Sequence, residues 1–221
     1  MLLETRDAPP FYKNGYVLAC ERTREGVIID PGDEVDLLLH VVAEQKLNVR
    51  QILLTHAHVD HVSGTARAKA VTGARIALHR DDLPLYEAAP QQATFFGIDL
   101  GALPAVDDFY DLSAPLTFGT CEVHVLHTPG HTPGGVCLLV GPSGQPGTRV
   151  FAGDTLFAGS IGRTDLPGGD FDTLIGSIRG VLFKLQDDVE VYPGHGPRTT
   201  IGQERRTNPF LVEERGSSGQ D

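Results

Sequence analysis

Apolar positions along the chain fall into two kinds of pattern. Short continuous runs at 16–19, 27–30 and 51–55 read as buried strands, the second ending in Asp30-Pro31-Gly32 and the third running into His56. Between these two, Val35, Leu38, Leu39 and Val42 recur at helical spacing, which predicts a helix over 34–45 with Asp33 as its N-cap. A second helical pattern covers 64–71, with Gly73 suited to its C-terminal cap, and 75–79 reads as another strand. Residues 84–115 are rich in Pro and Gly and weakly periodic, so they read as a long functional or mobile loop. Within it, Phe95 and Phe96 either line a pocket or pin the loop to the body.

The second half restarts the strand pattern at 122–126, 136–140, 149–152 and 189–192. Between the last two, Phe171, Leu174, Ile175, Ile178, Val181, Leu182 and Leu185 share one face of a helix over 170–185. Strands gathered in each half with helices between them predict two sheets stacked face to face and covered by helices. The expected organisation is one domain over 1–215 with a polar, disordered tail at 216–221.

Composition narrows the class of protein. A hydrophobic share of 40% and a charged share of 21% suit a soluble globular chain. The net charge of −11 disfavours nucleic acid and anionic membranes as partners. No apolar run is long enough to cross a bilayer, and 1–10 carries Glu4, Arg6 and Asp7 in place of a signal-peptide core. Cys20, Cys121 and Cys137 form no CxxC pair and read as reduced thiols, so the expectation is a cytoplasmic protein.

The chemistry concentrates in His56-Ala57-His58-Val59-Asp60-His61. In an extended segment residues two apart point the same way, so His56 and His58 can converge on one cation. A helix starting nearby would turn Asp60 and His61 towards a neighbouring position. Imidazole and carboxylate suit zinc, iron and manganese alike. Further ligand candidates end later strand-like runs beside glycine: His131 in Thr128-Pro129-Gly130-His131-Thr132, Asp154 in Gly153-Asp154-Thr155, and His195 in Pro193-Gly194-His195-Gly196.

HxHxDH followed in order by TPGHT, GDTLF and PGHG resembles the metallo-β-lactamase superfamily over about 16–210. The resemblance implies a four-layer αββα sandwich, an α/β (α+β) fold, with its metals at one edge of the sheets. It implies His56, His58 and His131 on a first metal, Asp60, His61 and His195 on a second, and Asp154 bridging them. It gives Asp30 a structural place supporting the neighbouring loop. The expected cofactors are two divalent metal ions, zinc before iron or manganese. The expected mechanism is attack by a metal-bridging hydroxide, with Asp60 and Asp154 as the catalytic carboxylates.

GSIGRTDLPGGD and PGHGPRTTIGQERRTNPF are most similar to short, single-domain glyoxalase-II-like proteins, which implies hydrolysis of a small thioester of the hydroxyacylglutathione type. True β-lactamases have Cys or Ser at the position of Asp154. Arg163 falls where glyoxalase II has a glutathione-contacting Lys, so it is the candidate substrate-binding residue, with Arg198 and Arg205 behind it. Asp165 falls where an aromatic contact is expected, and only 26 residues follow His195, too few for the C-terminal glutathione-binding domain. An Arg163–Asp165 salt bridge shaping the loop is the competing reading of that pair. GRTD also resembles the persulfide dioxygenases, which hold one iron at the positions of His56, His131 and Asp154. That is the alternative function. A lactonase or esterase, or a non-catalytic metal-binding protein, stands behind it. The expected partner is a small molecule, a glutathione thioester among the candidates.

Overall fold

The computed structural model describes residues 1–141 and 147–212; the tail 216–221, read above as disordered, lies outside them. The first sheet has six strands lying in chain order: β1 (Leu2–Arg6), β2 (Gly15–Ala19), β3 (Glu25–Ile29), β4 (Asn48–Leu53), β5 (Arg75–Leu78) and β6 (Asp108–Phe109). β1 to β3 form an antiparallel meander, whereas β3 to β6 run parallel. Parallel neighbours need long crossovers. These carry α1 (Val35–Glu44), then α2 (Val59–Val62) and α3 (Thr65–Thr72), then α4 (Leu83–Phe95).

The second sheet mirrors the first. β7 (Leu116–Phe118), β8 (Cys121–His127), β9 (Val136–Val140) and β10 (Arg149–Gly153) form an antiparallel meander. A small hairpin, β11 (Leu156–Phe157) with β12 (Ser160–Ile161), and helix α5 (Phe171–Gly180) follow. β13 (Glu190–Pro193) then inserts parallel to β10, with β14 (Thr199–Thr200) at the edge and α6 (Ile201–Thr207) behind it.

Side-chain alternation divides the core into three layers. In β2, Tyr16 and Leu18 face the opposite sheet while Val17 faces the helices. In β10, Phe151 points between the sheets while Val150 and Ala152 pack under α5. Every residue of β2 and of β9 is buried, as continuous apolar runs covered on both faces require. The order of layers is helix, sheet, sheet, helix, so the sandwich expected from the strand clusters is what the chain forms.

Three local expectations are corrected. The stretch 84–115 does not stay a loop, because 83–95 forms α4 and buries Tyr86, Ala89 and Ala93 on one face. Pro84 sits in the first turn, where a missing N–H costs nothing, and Pro90 is tolerated inside the helix. Asp33 does not cap α1. Glu34 occupies that position without a side-chain cap bond, its carboxylate accepting from Gly32 N at 2.9 Å and Lys13 Nζ at 2.7 Å. The helix over 170–185 ends at Gly180 and continues as one 3-10 turn, Leu182–Lys184. Its N-cap is Asp170, which accepts from Thr173 N at 2.7 Å.

Candidate metal centre

The C-terminal ends of β4, β8, β10 and β13 meet at one edge of the sandwich, and each releases its ligand-type residue just past its last paired position. β4 leads into His56 and His58. A single helical turn at Val59–Val62 then swings Asp60 and His61 to the adjoining position, as the sequence pattern requires. β8 leads to His131, β10 to Asp154, and β13 to His195. All seven candidates converge.

Their donor atoms fall into overlapping groups, each close enough to hold one metal ion: His56–His58–His131, His56–His61–Asp154 and Asp60–His61–His195. Asp154 stands between the groups. Its Oδ1 lies 3.3 Å from His61 Nε2, and its Oδ2 lies 3.6 Å from His131 Nε2 and 3.7 Å from His195 Nε2.

Hydrogen bonds behind the ligands decide which ring nitrogen faces inwards. His131 Nδ1 donates to the Arg163 carbonyl at 2.7 Å, which turns Nε2 inwards, 2.8 Å from His58 Nδ1. His61 Nδ1 lies 3.0 Å from Asp30 Oδ2, again freeing Nε2. His56 Nδ1 pairs with Thr55 Oγ at 3.1 Å. Such outer partners orient metal-ligating imidazoles and set their tautomer. His56 Nε2, His61 Nε2 and Asp154 Oδ1 are then left buried without a hydrogen-bond partner. Buried polar atoms without partners are costly, and here several aim at the same space. The donors present fit divalent cations.

The electrostatics agree. Burial pushes His56 well below the usual imidazole range and His58 down to about 4, with the neighbouring imidazoles adding to both shifts. Burial also opposes charge on His61, but Asp60, Asp154 and Asp30 outweigh it and raise this imidazole to about 10. Asp60 is held well below the carboxylate range because His61 and His195 overcome its desolvation.

Glycine is needed where the strands crowd. A Cβ on Gly194 would stand 2.1 Å from Asp154 Oδ1 and 2.7 Å from His61 Cε1.

Residues beyond the motif hold the ligand loops. Asp30, expected to be structural, accepts from Thr55 N at 2.7 Å and Thr55 Oγ at 2.6 Å besides fixing His61. Buried Lys13 bonds to the Asp30 carbonyl and to Glu34 Oε1. Next to it, Asn14 donates to the carbonyls of Pro193 and Gly196, bracketing His195. Asp82 is fully buried and accepts from Ala57 N at 3.0 Å, Thr132 Oγ at 2.9 Å and Gly134 N at 2.6 Å. It therefore ties the loop of His58 to the loop of His131. Sequence reading missed Asp82, Lys13 and Asn14, since each acts on a segment distant along the chain. Replacing Asp82 by alanine orphans three donors and is expected to cost about 1–3 kcal/mol and to lower metal content. Thermal unfolding together with metal analysis checks this, and unchanged values for both would refute the tie.

A cavity of about 470 Å³ opens above the ligands, and His58, Asp60, His131, Asp154 and His195 contribute to its lining. Arg163 also borders it, but its guanidinium is held by Asp165 through two 2.7 Å bonds, so the pair forms the salt bridge that the sequence left open. Arg198 and Arg205 do not line the cavity. Arg198 pairs with Glu190, and Arg205 with Asp187.

A sheet-on-sheet sandwich that gathers five histidines and two aspartates in overlapping ligand groups at one edge defines a metallo-hydrolase-type protein. The chain belongs to the metallo-β-lactamase superfamily, whose family model matches residues 8–195. Among curated relatives it is 42% identical to the hydroxyacylglutathione hydrolase GloC of Haemophilus influenzae, over 85% of this chain and 88% of that one. Among solved structures it is similar to the BLEG-1 B3 metallo-β-lactamase, at 35% identity and a TM-score of 0.86, covering 96% of this chain and all of the other. It is also similar to TTHA1623 in a di-iron-bound form, at 40% identity and a TM-score of 0.83, covering 94% of this chain and 100% of that one.

Proposed function

We propose that residues 1–215 form one domain that hydrolyses a small thioester, of the kind acted on by a hydroxyacylglutathione hydrolase, using two divalent cations, zinc first. The observation that carries this reading is the position of Asp154 at the floor of an open cavity, its carboxylate within 3.3–3.7 Å of His131 on one side and of His61 and His195 on the other. His56, His58 and His131 would hold one cation, Asp60, His61 and His195 the other, with Asp154 facing both. When bound, such cations acidify a water molecule to near neutrality and draw charge from a carbonyl oxygen.

The protein's own residues favour a thioester. Among the described residues lining the cavity there is no Ser, Cys, Lys, Tyr or Glu, hence neither a side-chain nucleophile nor an obvious proton donor for a departing alkoxide. A thiolate, whose conjugate acid has a pKa of about 8.5, leaves without one. The depressed pKa of Asp60 keeps it ionised. It is therefore a weak base, suited to orienting an attacking water through its carboxylate, whose Oδ2 lies 3.0 Å from Nε2 of His195 in the same ligand group. Asp154 stays ionised for the same reason, with His61 outweighing its burial. The acyl carbon gains the water oxygen, the C–S bond breaks, and carboxylate and thiol leave with release of one proton to solvent.

The proposal extends to a small-molecule partner and a cytoplasmic location, without nucleic acid or membrane. Three free cysteines support the location. No helix among the described residues is long and apolar enough to cross a membrane. The test is thiol release from S-D-lactoylglutathione by protein of assayed metal content. Turnover that a chelator abolishes and added metal restores is the expected result. Metal-replete protein with no turnover would discard this substrate.

A further inference from the structure

The cavity has two unlike halves. Its floor is the ligand cluster; its wall is mostly apolar, with Phe11, Leu85, Phe95, Phe96, Leu166 and Pro167, and its polar members are Gln92 and Arg163. Phe95 is 83% exposed and Phe96 60% exposed, at the C-terminal end of α4. Large apolar side chains standing open beside a site mark a place where something apolar is bound. Phe11 reaches the same rim from a distant part of the chain and meets Phe96 edge to face, with ring centroids 5.6 Å apart. The volume of about 470 Å³ lies within the roughly 300–1,000 Å³ typical of small-molecule sites.

Charge points the same way. Arg163 is the only Lys or Arg among the described residues lining the cavity, and Asp165 neutralises it through both Nε and a terminal nitrogen. Arg163 also serves through its backbone, its carbonyl accepting from His131 Nδ1. The wall therefore offers hydrophobic contact and no unpaired cation for a carrier with several carboxylates.

We propose that the site selects thioesters with an apolar arm about the size of a phenyl ring or a medium alkyl chain, seated on Phe11, Phe95 and Phe96. This rests on the thioesterase reading and names its substrate class. The arm belongs to the acyl group or to the thiol, and the two are separable by experiment.

The metal-replete protein is assayed on N-acetylcysteamine thioesters with acyl chains of two to eight carbons, and in parallel on acetyl thioesters of alkyl and benzyl thiols, with S-D-lactoylglutathione alongside. Along one series kcat/KM is expected to rise about fourfold per methylene, the fold-change of burying that group in an apolar wall. The longest member should exceed S-D-lactoylglutathione at least tenfold. Phe95→Ala with Phe96→Ala, both at exposed positions, should flatten the slope while metal content and Tm stay unchanged. Asp165→Ala, by freeing Arg163, should raise S-D-lactoylglutathione relative to the longest apolar thioester. Turnover with flat series, or a slope that survives loss of both phenylalanines, overturns this inference and leaves the hydrolase reading standing. No turnover of any thioester by metal-replete protein overturns both.

Discussion

Replacing Asp154 by alanine is expected to lower thioester hydrolysis at least a thousandfold while the chain still folds. Its carboxylate faces His61, His131 and His195 within 3.3–3.7 Å, so it is the group common to both ligand sets. Without it, two neighbouring cations would face each other with imidazoles and Asp60 alone to offset their charge. A thousandfold loss corresponds to about 4 kcal/mol of barrier, and losing one well-placed electrostatic partner in an enzyme site costs about 10²–10³ by itself. The fold should survive because Asp154 lies past the end of β10, outside the three apolar layers. His58→Ala makes a useful companion. It removes a donor from the His56–His58–His131 group and leaves Asp60–His61–His195 intact. It too should abolish hydrolysis, but it should retain more metal than Asp154→Ala. The checks are kcat/KM, bound metal and circular dichroism on both variants, and activity surviving in both would end the two-cation scheme.

That variant pair could be chosen from the sequence because the ligands lie where local signals are strongest. Continuous apolar runs such as 16–19 and 136–140 announce strands buried on both faces, and each ligand follows a run directly or beside a glycine turn. What stayed hidden was set by long-range contact. Pro84 and Pro90 argue against a helix over 83–95, yet burial of Tyr86, Ala89 and Ala93 overrides them. Asp33 has the right side chain for a cap, but the buried Lys13–Glu34 pair settles how that turn is built. Asp82 reads as one more acidic residue in Arg80-Asp81-Asp82, and its role exists only once β5 brings it under the loops of His58 and His131. Arg163 could be aligned with a substrate contact, but only the folded loop places its guanidinium against Asp165.

The electrostatics of the ligand cluster give the last large effect, the pH dependence of metal binding. In the metal-free protein His61 is raised to about 10 by Asp60, Asp154 and Asp30, against its burial, and so carries a proton at neutral pH. His58, lowered to about 4, and His56, lowered well below its usual range, are already neutral there. The proton of His61 Nδ1 stays on the bond to Asp30, so the one displaced by a cation sits on Nε2. The sign follows directly. A raised histidine pKa stabilises the metal-free fold below the unfolded value of about 6.5, and that contribution is lost as pH rises through about 10. Between those limits a cation must expel this proton to bind, so its apparent affinity should rise at least tenfold per pH unit. Between pH 7 and 9 this amounts to at least about 100-fold. Calorimetric titration of the chelator-stripped protein with zinc, in buffers of different ionisation enthalpy, measures the released proton directly. About two protons per protein at pH 8 are the expected value, one from His61 and one from the water that the bound cations acidify. One or none would mean that His61 is already neutral, and would sink the view that three carboxylates hold its charge in place until a cation takes over.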